Sequence, residues 1–220
     1  YMMNRGCFKP SFLSRLRAIV FPDYIMDYLV HMRKADYYSH LGAKGIIWGN
    51  YHRMKQRRLG IKLGFSIACD VCGYGLVIPH YGTIVVGSGN QIGNYAVLHT
   101  STCITNGKKV IGDGLYVSVG AKLTTVEQLG NNVMIAANSV VTKSCKEDNV
   151  LLVGVPATIK KRQDAWYINN EKYANNIKQI EKQYDVKWKN CKVSYEIVDV
   201  ETLKGDDLAD IKELYKEDIG

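Results

Sequence analysis

An aliphatic residue returns at every sixth position through the middle of the chain. From residue 111 to residue 141 the series has no gap: Ile111, Val117, Leu123, Leu129, Ile135 and Val141. Chance produces such a run only about once in a few thousand starting points. In an α-helix a six-residue step rotates by about 240° net and would spread these side chains around the cylinder. The period therefore predicts short strands joined by tight turns.

Three hexads close one triangular coil of about 18 residues, and coils stack at about 4.8 Å. The first predicted face holds Ile78, Leu98, Val117, Ile135 and Val153. The second holds Ile84, Ile104, Leu123, Val141 and Ile159, and the third holds Cys72, Ile92, Ile111, Leu129 and Glu147. The spacing predicts that two insertions, at residues 87–91 and 105–110, protrude from one corner. Protruding loops on a rigid scaffold commonly carry recognition residues.

The composition is that of one large domain with appendages. The chain has 220 residues, 46% hydrophobic and 23% charged, which are ordinary globular values. The sequence has no run of about 18 apolar residues, so we expect no membrane span. No signal-peptide cleavage site follows its most apolar stretch. We therefore expect a cytoplasmic chain whose six cysteines are reduced. Cys69 and Cys72 form a lone pair at this spacing, so no metal is expected.

The positive charge is concentrated before the repeat. Residues 1–62 hold 12 Lys/Arg and 3 Asp/Glu, whereas residues 162–220 hold 10 and 13. Such a basic segment suits nucleic acid, an anionic membrane surface or a phosphorylated ligand, or it is the solvated side of a helix. No zinc-finger spacing, RNP-like segment or basic-zipper heptad accompanies it, so no nucleic-acid partner is expected.

Short motifs punctuate the repeat. They are Gly64-Phe-Ser-Ile, His80-Tyr-Gly-Thr-Ile-Val-Val-Gly, Ile92-Gly-Asn, Ile111-Gly-Asp-Gly, Val117-Ser-Val-Gly-Ala-Lys and Gly154-Val-Pro-Ala. Together they resemble the left-handed β-helix (hexapeptide-repeat) acyltransferases, specifically the serine O-acetyltransferase-like branch. The resemblance covers residues 60–161 and implies a left-handed winding that the period itself does not show. The lead-in around Arg33 and Arg57 resembles relatives from bacterial polysaccharide clusters.

The resemblance implies a homotrimer that binds acetyl-CoA in grooves between neighbouring prisms, with His80 as general base. An imidazole suits this role because an alcohol is a poor nucleophile until its proton is taken. The motif match places the pantetheine groove at four small or apolar residues, Val119, Gly120, Ala136 and Ala137. Lys160 and Lys161 either contact the CoA phosphates or lie on a solvated terminal strand.

The acceptor site departs from the serine-specific pattern. Pro79 stands where serine acetyltransferases carry an Asp, and Lys108 replaces a second active-site His. Acceptor binding is therefore assigned to Lys108 and to His99, which either orients the site or packs. Because groups that would recognise an amino acid are missing, a sugar hydroxyl rivals L-serine as acceptor.

The chain divides into an N-terminal helical segment (1–60), a β-helix domain (61–161) and an extension (162–220). The leading helices, one of them opened by Pro22-Asp23, are expected to cap the first coil. In the extension, Tyr173, Ile177, Ile180 and Tyr184 predict an amphipathic helix, followed by a strand over 192–200 and a helix from 205. The extension covers the open end of the prism or forms an interaction arm.

The predicted class is thus mainly β, a left-handed parallel β-helix with N-terminal helices and a C-terminal α/β extension. The predicted function is acetyl-CoA-dependent O-acetylation of L-serine or a sugar. Acetylation of an amine on a nucleotide sugar is one alternative. The other is a non-catalytic scaffold that uses its basic leading segment to contact partners.

Overall fold

Helices flank a central region of short strands in the computed structural model, which describes residues 2–6 and 11–184. The described α-helices are α1 Met2–Arg5, α2 Phe12–Val20, α3 Tyr24–Ser39, α4 Ile46–Leu63 and α5 Glu171–Tyr184. A 3₁₀ turn at Gly42–Gly45 joins α3 to α4. Among the described helices, none combines the length and apolarity that crossing a membrane requires.

Thirteen strands of two to six residues follow α4 in the part of the chain that the structure describes. They are β1 Phe65–Ile67, β2 Ile84–Val86, β3 Gln91–Ile92, β4 Val97–Leu98, β5 Thr102–Ile104, β6 Val110–Ile111, β7 Tyr116–Val117, β8 Lys122–Leu123, β9 Gln128–Leu129, β10 Met134–Ile135, β11 Val140–Val141, β12 Val150–Gly154 and β13 Ala157–Arg162. Sheet 1 has the order β1-β2-β5-β8-β11, sheet 2 has β3-β6-β9, and sheet 3 has β4-β7-β10-β12-β13. Apart from the antiparallel pair β12–β13, the strands are parallel. The predicted β-helix is confirmed.

The hexad aliphatics fill the interior of the prism. On sheet 1, Ile104 lies opposite Val86 and Leu123, whereas Ile84, its predicted partner, pairs with Thr102. Ile111 lies opposite Leu129 on sheet 2. The interior hexad side chains from residue 78 to residue 141 are at most 2% exposed. Each such burial contributes about 1.5–3 kcal/mol, so the repeat builds one continuous apolar column.

The prediction for the last coil is wrong on all three faces. Leu152, rather than Val153, stacks on Ile135, and Cys145, rather than Glu147, pairs with Leu129. The six-residue count fails because the chain takes four residues from Val141 to Cys145. Ile159 does not stack on Val141: β13 turns back antiparallel to β12, and Ile159 is 43% exposed.

A ladder of side-chain oxygens lines the edge between sheets 2 and 3, called here the ladder edge. The backbone N–H of Asn94 donates to Asp113 Oδ1 at 2.6 Å, and that of Asp113 donates to Asn131 Oδ1 at 3.0 Å. The N–H of Asn131 in turn donates to Asp148 Oδ1 of the next coil at 2.6 Å. Gly112 precedes Asp113, and a Cβ there would lie 2.5 Å from Asn131 Oδ1. The recurrent Gly-Asn/Asp pair thus satisfies backbone donors that the turn leaves free.

The helical hairpin α3–α4 caps the first coil, as predicted. Met26, Met32 and Leu63 belong to the same buried cluster as the prism interior. The Asp23 carboxylate caps α3 by accepting from the N–H of Met26 at 3.3 Å, which confirms the predicted helix start. The Arg33 guanidinium donates to the carbonyls of Cys72 and Gly73 and ties the hairpin to the first coil.

The predicted amphipathic helix is confirmed as α5, but it covers a side of the prism. α5 and α1 pack on the outer surface of sheet 3, where Ile177 and Ile180 bury Val77 and Val97. Asn176 Nδ2 donates to the carbonyl of Met2 at 3.0 Å, which joins the two helices. Up to residue 184 the extension therefore neither closes the open end nor projects as an arm. The strand over 192–200 and the helix from 205 lie outside the described residues.

Candidate active site

Six of the predicted site residues lie along one edge of the prism. This histidine edge, where the chain passes from sheet 3 to sheet 1, comprises segments 79–83, 99–101, 118–121 and 136–139. Successive segments are joined by backbone bonds: Gly120 N–H donates to Thr100 O at 3.1 Å, and Asn138 N–H donates to Val119 O at 3.0 Å. The structure brings together a set that the sequence spreads over 58 positions: His80, His99, Val119, Gly120, Ala136 and Ala137.

The imidazole of His80 is exposed to solvent, just before β2. None of the hydrogen bonds among the described side chains occupies its ring nitrogens. The neighbouring Tyr81 is 75% exposed. Gly82 has φ +134°, and a Cβ on it would lie 3.1 Å from Thr100 Cγ2, so the chain turns closely against the next coil. The arrangement leaves a ring nitrogen open to accept a proton from an approaching molecule.

His99, one coil further on, is held by a second ring. Its Nε2 lies 2.8 Å from the Tyr116 hydroxyl, and the two ring centroids are 5.1 Å apart. Burial lowers the pKa of His99, and the nearby His80 lowers the pKa further. The neutral form of His99 is therefore favoured beside His80.

The residues predicted to hold the cofactor lie on the same edge, in the coils that follow those of the histidines. Gly120 has φ +73°, and a Cβ on it would lie 2.1 Å from Asn138 Oδ1. Val119 is 47% exposed, and Ala137 is also exposed. Because these side chains are small, a long, narrow ligand can come close to the backbone in this part of the edge.

Lys160 and Lys161 are exposed on β13. The β12–β13 turn reaches the top of the histidine edge, where Gly154 N–H donates to Ser139 Oγ at 3.0 Å. Because β13 runs back from that turn, the two lysines lie about 10–13 Å along the strand from Ala157.

Lys108 lies on a different edge from His80. Segments 87–91 and 105–110 meet between sheets 1 and 2 and form what we call the insertion edge. There Asn90 Nδ2 donates to Gly87 O at 2.9 Å and to Thr105 O at 3.0 Å. Within one chain, sheet 1 separates the exposed Lys108 from the histidine edge.

Of the two predicted insertions, only the one at 105–110 lies where it was predicted. The prediction for 87–91 is wrong because Val86, not Ile84, pairs with Ile104, so the eight-residue step runs from Ile78 to Val86.

Sequence reasoning missed the buried cation beside Lys108. Lys109 is only 3% exposed, and its Nζ donates to Thr105 O at 3.1 Å and to Asn106 O at 3.2 Å. Burial lowers the pKa of Lys109. The adjacent pair thus divides into one residue that holds the loop and one that faces solvent. No sequence signal distinguishes the two.

The electrostatics of the histidine edge are basic to neutral, since its four segments contain no Asp or Glu. Among residues 2–6 and 11–184, no group of three or more His, Cys, Asp or Glu side chains could hold a metal ion. Burial raises the pKa of the Cys72 thiol to about 12 and also raises that of Cys69. Both thiols therefore stay protonated at neutral pH.

No family model and no curated protein sequence matches the chain. Among solved structures it is similar to serine acetyltransferase from Brucella abortus strain S19 in complex with coenzyme A, at TM-score 0.52 and 25% identity over 62% of this chain and 56% of that one. It is also similar to serine O-acetyltransferase from Brucella melitensis, described as a bacterial transferase hexapeptide repeat protein, at 0.52 and 26% over 61% and 56%. The fold is that of the hexapeptide-repeat left-handed β-helix acetyltransferases.

A plant protein shares this fold at lower identity. Soybean serine acetyltransferase complexed with serine matches at TM-score 0.52 and 20% identity, over 64% of this chain and 59% of that one. The chain thus spans just over half the length of these solved acetyltransferases. The predicted resemblance to the hexapeptide-repeat acetyltransferases is confirmed at the level of the fold.

Proposed function

We propose that the chain is an acetyl-CoA-dependent O-acetyltransferase with His80 as general base. The observation that carries the proposal is the exposed imidazole of His80, whose ring nitrogens take part in no hydrogen bond among the described side chains, on the same edge as the small residues Gly120, Ala136 and Ala137. Its fold is shared with a serine acetyltransferase solved in complex with coenzyme A, which supports acetyl-CoA as co-substrate.

The reaction needs one base and no covalent enzyme intermediate. His80 takes the proton of the acceptor hydroxyl while the oxygen attacks the thioester carbonyl, forming a tetrahedral intermediate. Collapse of this intermediate breaks the carbon–sulfur bond, and the CoA thiolate takes the proton from the His80 imidazolium. Such acid–base assistance contributes about 10²- to 10⁴-fold in rate.

Assembly as a homotrimer would complete the site. His80 and Lys108 lie at opposite edges of sheet 1, so one chain does not bring them together. A ring of three prisms has heterologous interfaces, and in the proposed trimer the insertion edge of one subunit would face the histidine edge of the next. Lys108 of the neighbour would then bind the acceptor beside His80 and His99, while Val119, Gly120, Ala136 and Ala137 hold the pantetheine and Lys160 and Lys161 the phosphates.

The acceptor is a hydroxyl compound, L-serine or a sugar. The histidine edge offers no carboxylate to pair with the ammonium of an amino acid, whereas hydroxyl-bearing side chains and Tyr81 are present. An uncharged polyol therefore suits the edge better than serine does. Polysaccharide modification in the cytoplasm would follow from such an acceptor.

The test is release of the CoA thiol from acetyl-CoA with a panel of L-serine, simple sugars and nucleotide sugars, hydroxyl and amino forms included. We expect turnover with at least one hydroxyl acceptor, and His80→Ala should lower that turnover by about 10²-fold or more. His40→Ala is the matched control, because His40 is exposed but lies on the helical hairpin against Asp70. Turnover with amino sugars alone would replace O-acetylation by N-acetylation. No turnover and no acetyl-CoA binding would favour a scaffold.

A further inference from the structure

Tyr116 connects the histidine edge to the C-terminal extension. It lies on the outer surface of β7, between Val97 and Met134 of the flanking strands. Its hydroxyl reaches His99 Nε2 at 2.8 Å. On its other side, the Trp166 ring lies 6.2 Å away at an interplanar angle of 43°.

Trp166 is itself held in three ways. Its Nε1 donates to the carbonyl of Tyr95 at 3.1 Å, and the ring of Tyr173 from α5 packs edge-on at 4.9 Å. Tyr167 packs against it at 5.6 Å. The extension therefore fixes the ring that contacts Tyr116, although no described residue of the extension lies on the histidine edge.

The protonation states favour one direction for the Tyr116–His99 bond. Burial raises the pKa of Tyr116, so the phenol keeps its proton at neutral pH, and burial lowers the pKa of His99. A neutral imidazole has one donor and one acceptor nitrogen. If the phenol donates to Nε2, the proton of His99 resides on Nδ1, and the bond sets both the ring orientation and the tautomer.

We infer that Tyr116 is a positioning residue that orients His99 toward the acceptor beside His80, and that residues 163–184 keep it in place. The inference rests on the proposed function. The inference gives the extension a role in the reaction, although none of its described residues lies on the histidine edge.

The test compares Tyr116→Phe with Tyr167→Phe, which removes a hydroxyl from the same aromatic cluster, in the full chain. Imidazole ¹⁵N NMR should show one tautomer of His99 in the parent and in Tyr167→Phe, and a mixture in Tyr116→Phe. With the acceptor found above, kcat/KM for the acceptor should fall about tenfold in Tyr116→Phe, as expected for one hydrogen bond, with KM for acetyl-CoA unchanged. Trp166→Leu should move both readouts in the same direction.

An unchanged His99 tautomer in Tyr116→Phe would overturn the inference, and so would a changed tautomer with unchanged acceptor kinetics. Failure of the proposed function is distinguishable, because a parent protein that releases no thiol still reports the His99 tautomer by NMR.

A second feature, α2, carries an independent inference. Its apolar side chains fall within one arc of about 120° at 100° per residue. They are 48–79% exposed: Phe12, Leu13, Leu16, Ile19 and Val20. Phe21, which follows the helix, is 70% exposed. A helix that turns an apolar face to solvent is typical of interaction surfaces.

Basic groups border this apolar face. The Arg17 guanidinium lies 6.0 Å from the Phe21 ring, and Lys62 Nζ lies 5.2 Å from the Tyr24 ring. The first acidic residue of the chain is Asp23, after four Lys/Arg side chains. Charge and apolarity together match an anionic lipid surface, where basic side chains meet headgroups and apolar ones enter the acyl boundary.

We propose that α2 docks the protein on anionic membranes. Flotation of the full chain with phosphatidylcholine vesicles, with and without about 30% phosphatidylglycerol, tests it. Binding should require the anionic lipid, weaken with salt, and fall about tenfold or more in Leu16→Glu/Ile19→Glu. Ile168→Glu is the matched control, since Ile168 is 54% exposed elsewhere. Equal binding of both variants, no binding of the parent, or a lower oligomeric mass of the α2 variant would overturn it, the last favouring a second copy as occupant.

Discussion

Two pairs of histidines occupy contrasting places in the molecule. In the helical hairpin, His31 Nδ1 and His52 Nδ1 are 2.7 Å apart, and Tyr38 stacks on His52 with an interplanar angle of 4°. On the prism, His99 bonds to Tyr116 while His80 remains exposed. In the pair His31–His52, called here the helical pair, the two rings contact each other. In the pair His80–His99, the His80 ring is exposed to solvent.

The surroundings of each histidine determine whether it stabilises the fold or is available for proton transfer. Burial lowers the pKa of His52 to about 4 and also lowers that of His31, so both rings are neutral at pH 7 and one donates to the other. His52 is only 7% exposed and cannot meet a substrate. The free ring of His80 adds little to packing but can transfer a proton.

The strongest test of this contrast is His80→Ala. Turnover should fall by about 10²- to 10⁴-fold because the proposed base is lost. The urea midpoint of unfolding should stay that of the parent, since the side chain is exposed. Steady-state kinetics and urea denaturation of the same preparations measure both quantities. A large loss of stability would assign His80 to the structure instead.

His52→Ala should show the opposite pattern. The free energy of unfolding should fall by about 2–4 kcal/mol, because the change leaves a cavity and removes the partner of His31. The turnover of the folded enzyme should not change. Urea denaturation of His52→Ala beside His40→Ala checks this, and a stability equal to that of the control would contradict it.

The sequence predicts the prism better than it predicts the helical pair, for a physical reason. In a strand repeat the interior residues recur at a fixed spacing, so the spacing alone places Ile104, Leu123 and Val141 on one face, where the strand pairing confirms them. His31 and His52 lie on different helices, and only the packing of α3 on α4 brings them together. Their contact has no signature in the spacing.

Regular spacing also explains why the site is predicted only in part. Motifs place His80, His99 and Gly120 on one edge because coil counting fixes their height and corner. The sequence analysis does not predict the role of Tyr116, because this side chain faces outward from β7 and its partner Trp166 comes from the extension, outside the repeat. The count also fails at Cys145, where a step of four replaces six. The six-residue spacing therefore predicts the stacking of residues only where the chain follows that spacing.

The helical pair should also make stability depend on pH. Because the folded pKa of His52 is lowered to about 4 from 6.5, the unfolded chain binds a proton between these values that the folded chain does not. Stability should therefore fall as pH drops from about 6.5 to about 4, by about 1–3 kcal/mol. Urea denaturation across this range should show a shallower fall in His52→Gln. Parallel curves for parent and variant would contradict the assignment.

The smallest effect concerns the ring that stacks on His52. Tyr38→Leu should lower the free energy of unfolding by about 1 kcal/mol, since the face-to-face contact at 5.6 Å is lost while an apolar side chain remains. Tyr38→Phe keeps the ring and should stay within about 0.5 kcal/mol of the parent. Because the stack also shields His52 from water, Tyr38→Leu should reduce the pH dependence that His52 confers. If Tyr38→Leu leaves the pH dependence intact, the Tyr38 ring does not shield His52 from water. The packing of α3 on α4 and the contact with His31 would then account for the lowered pKa of His52.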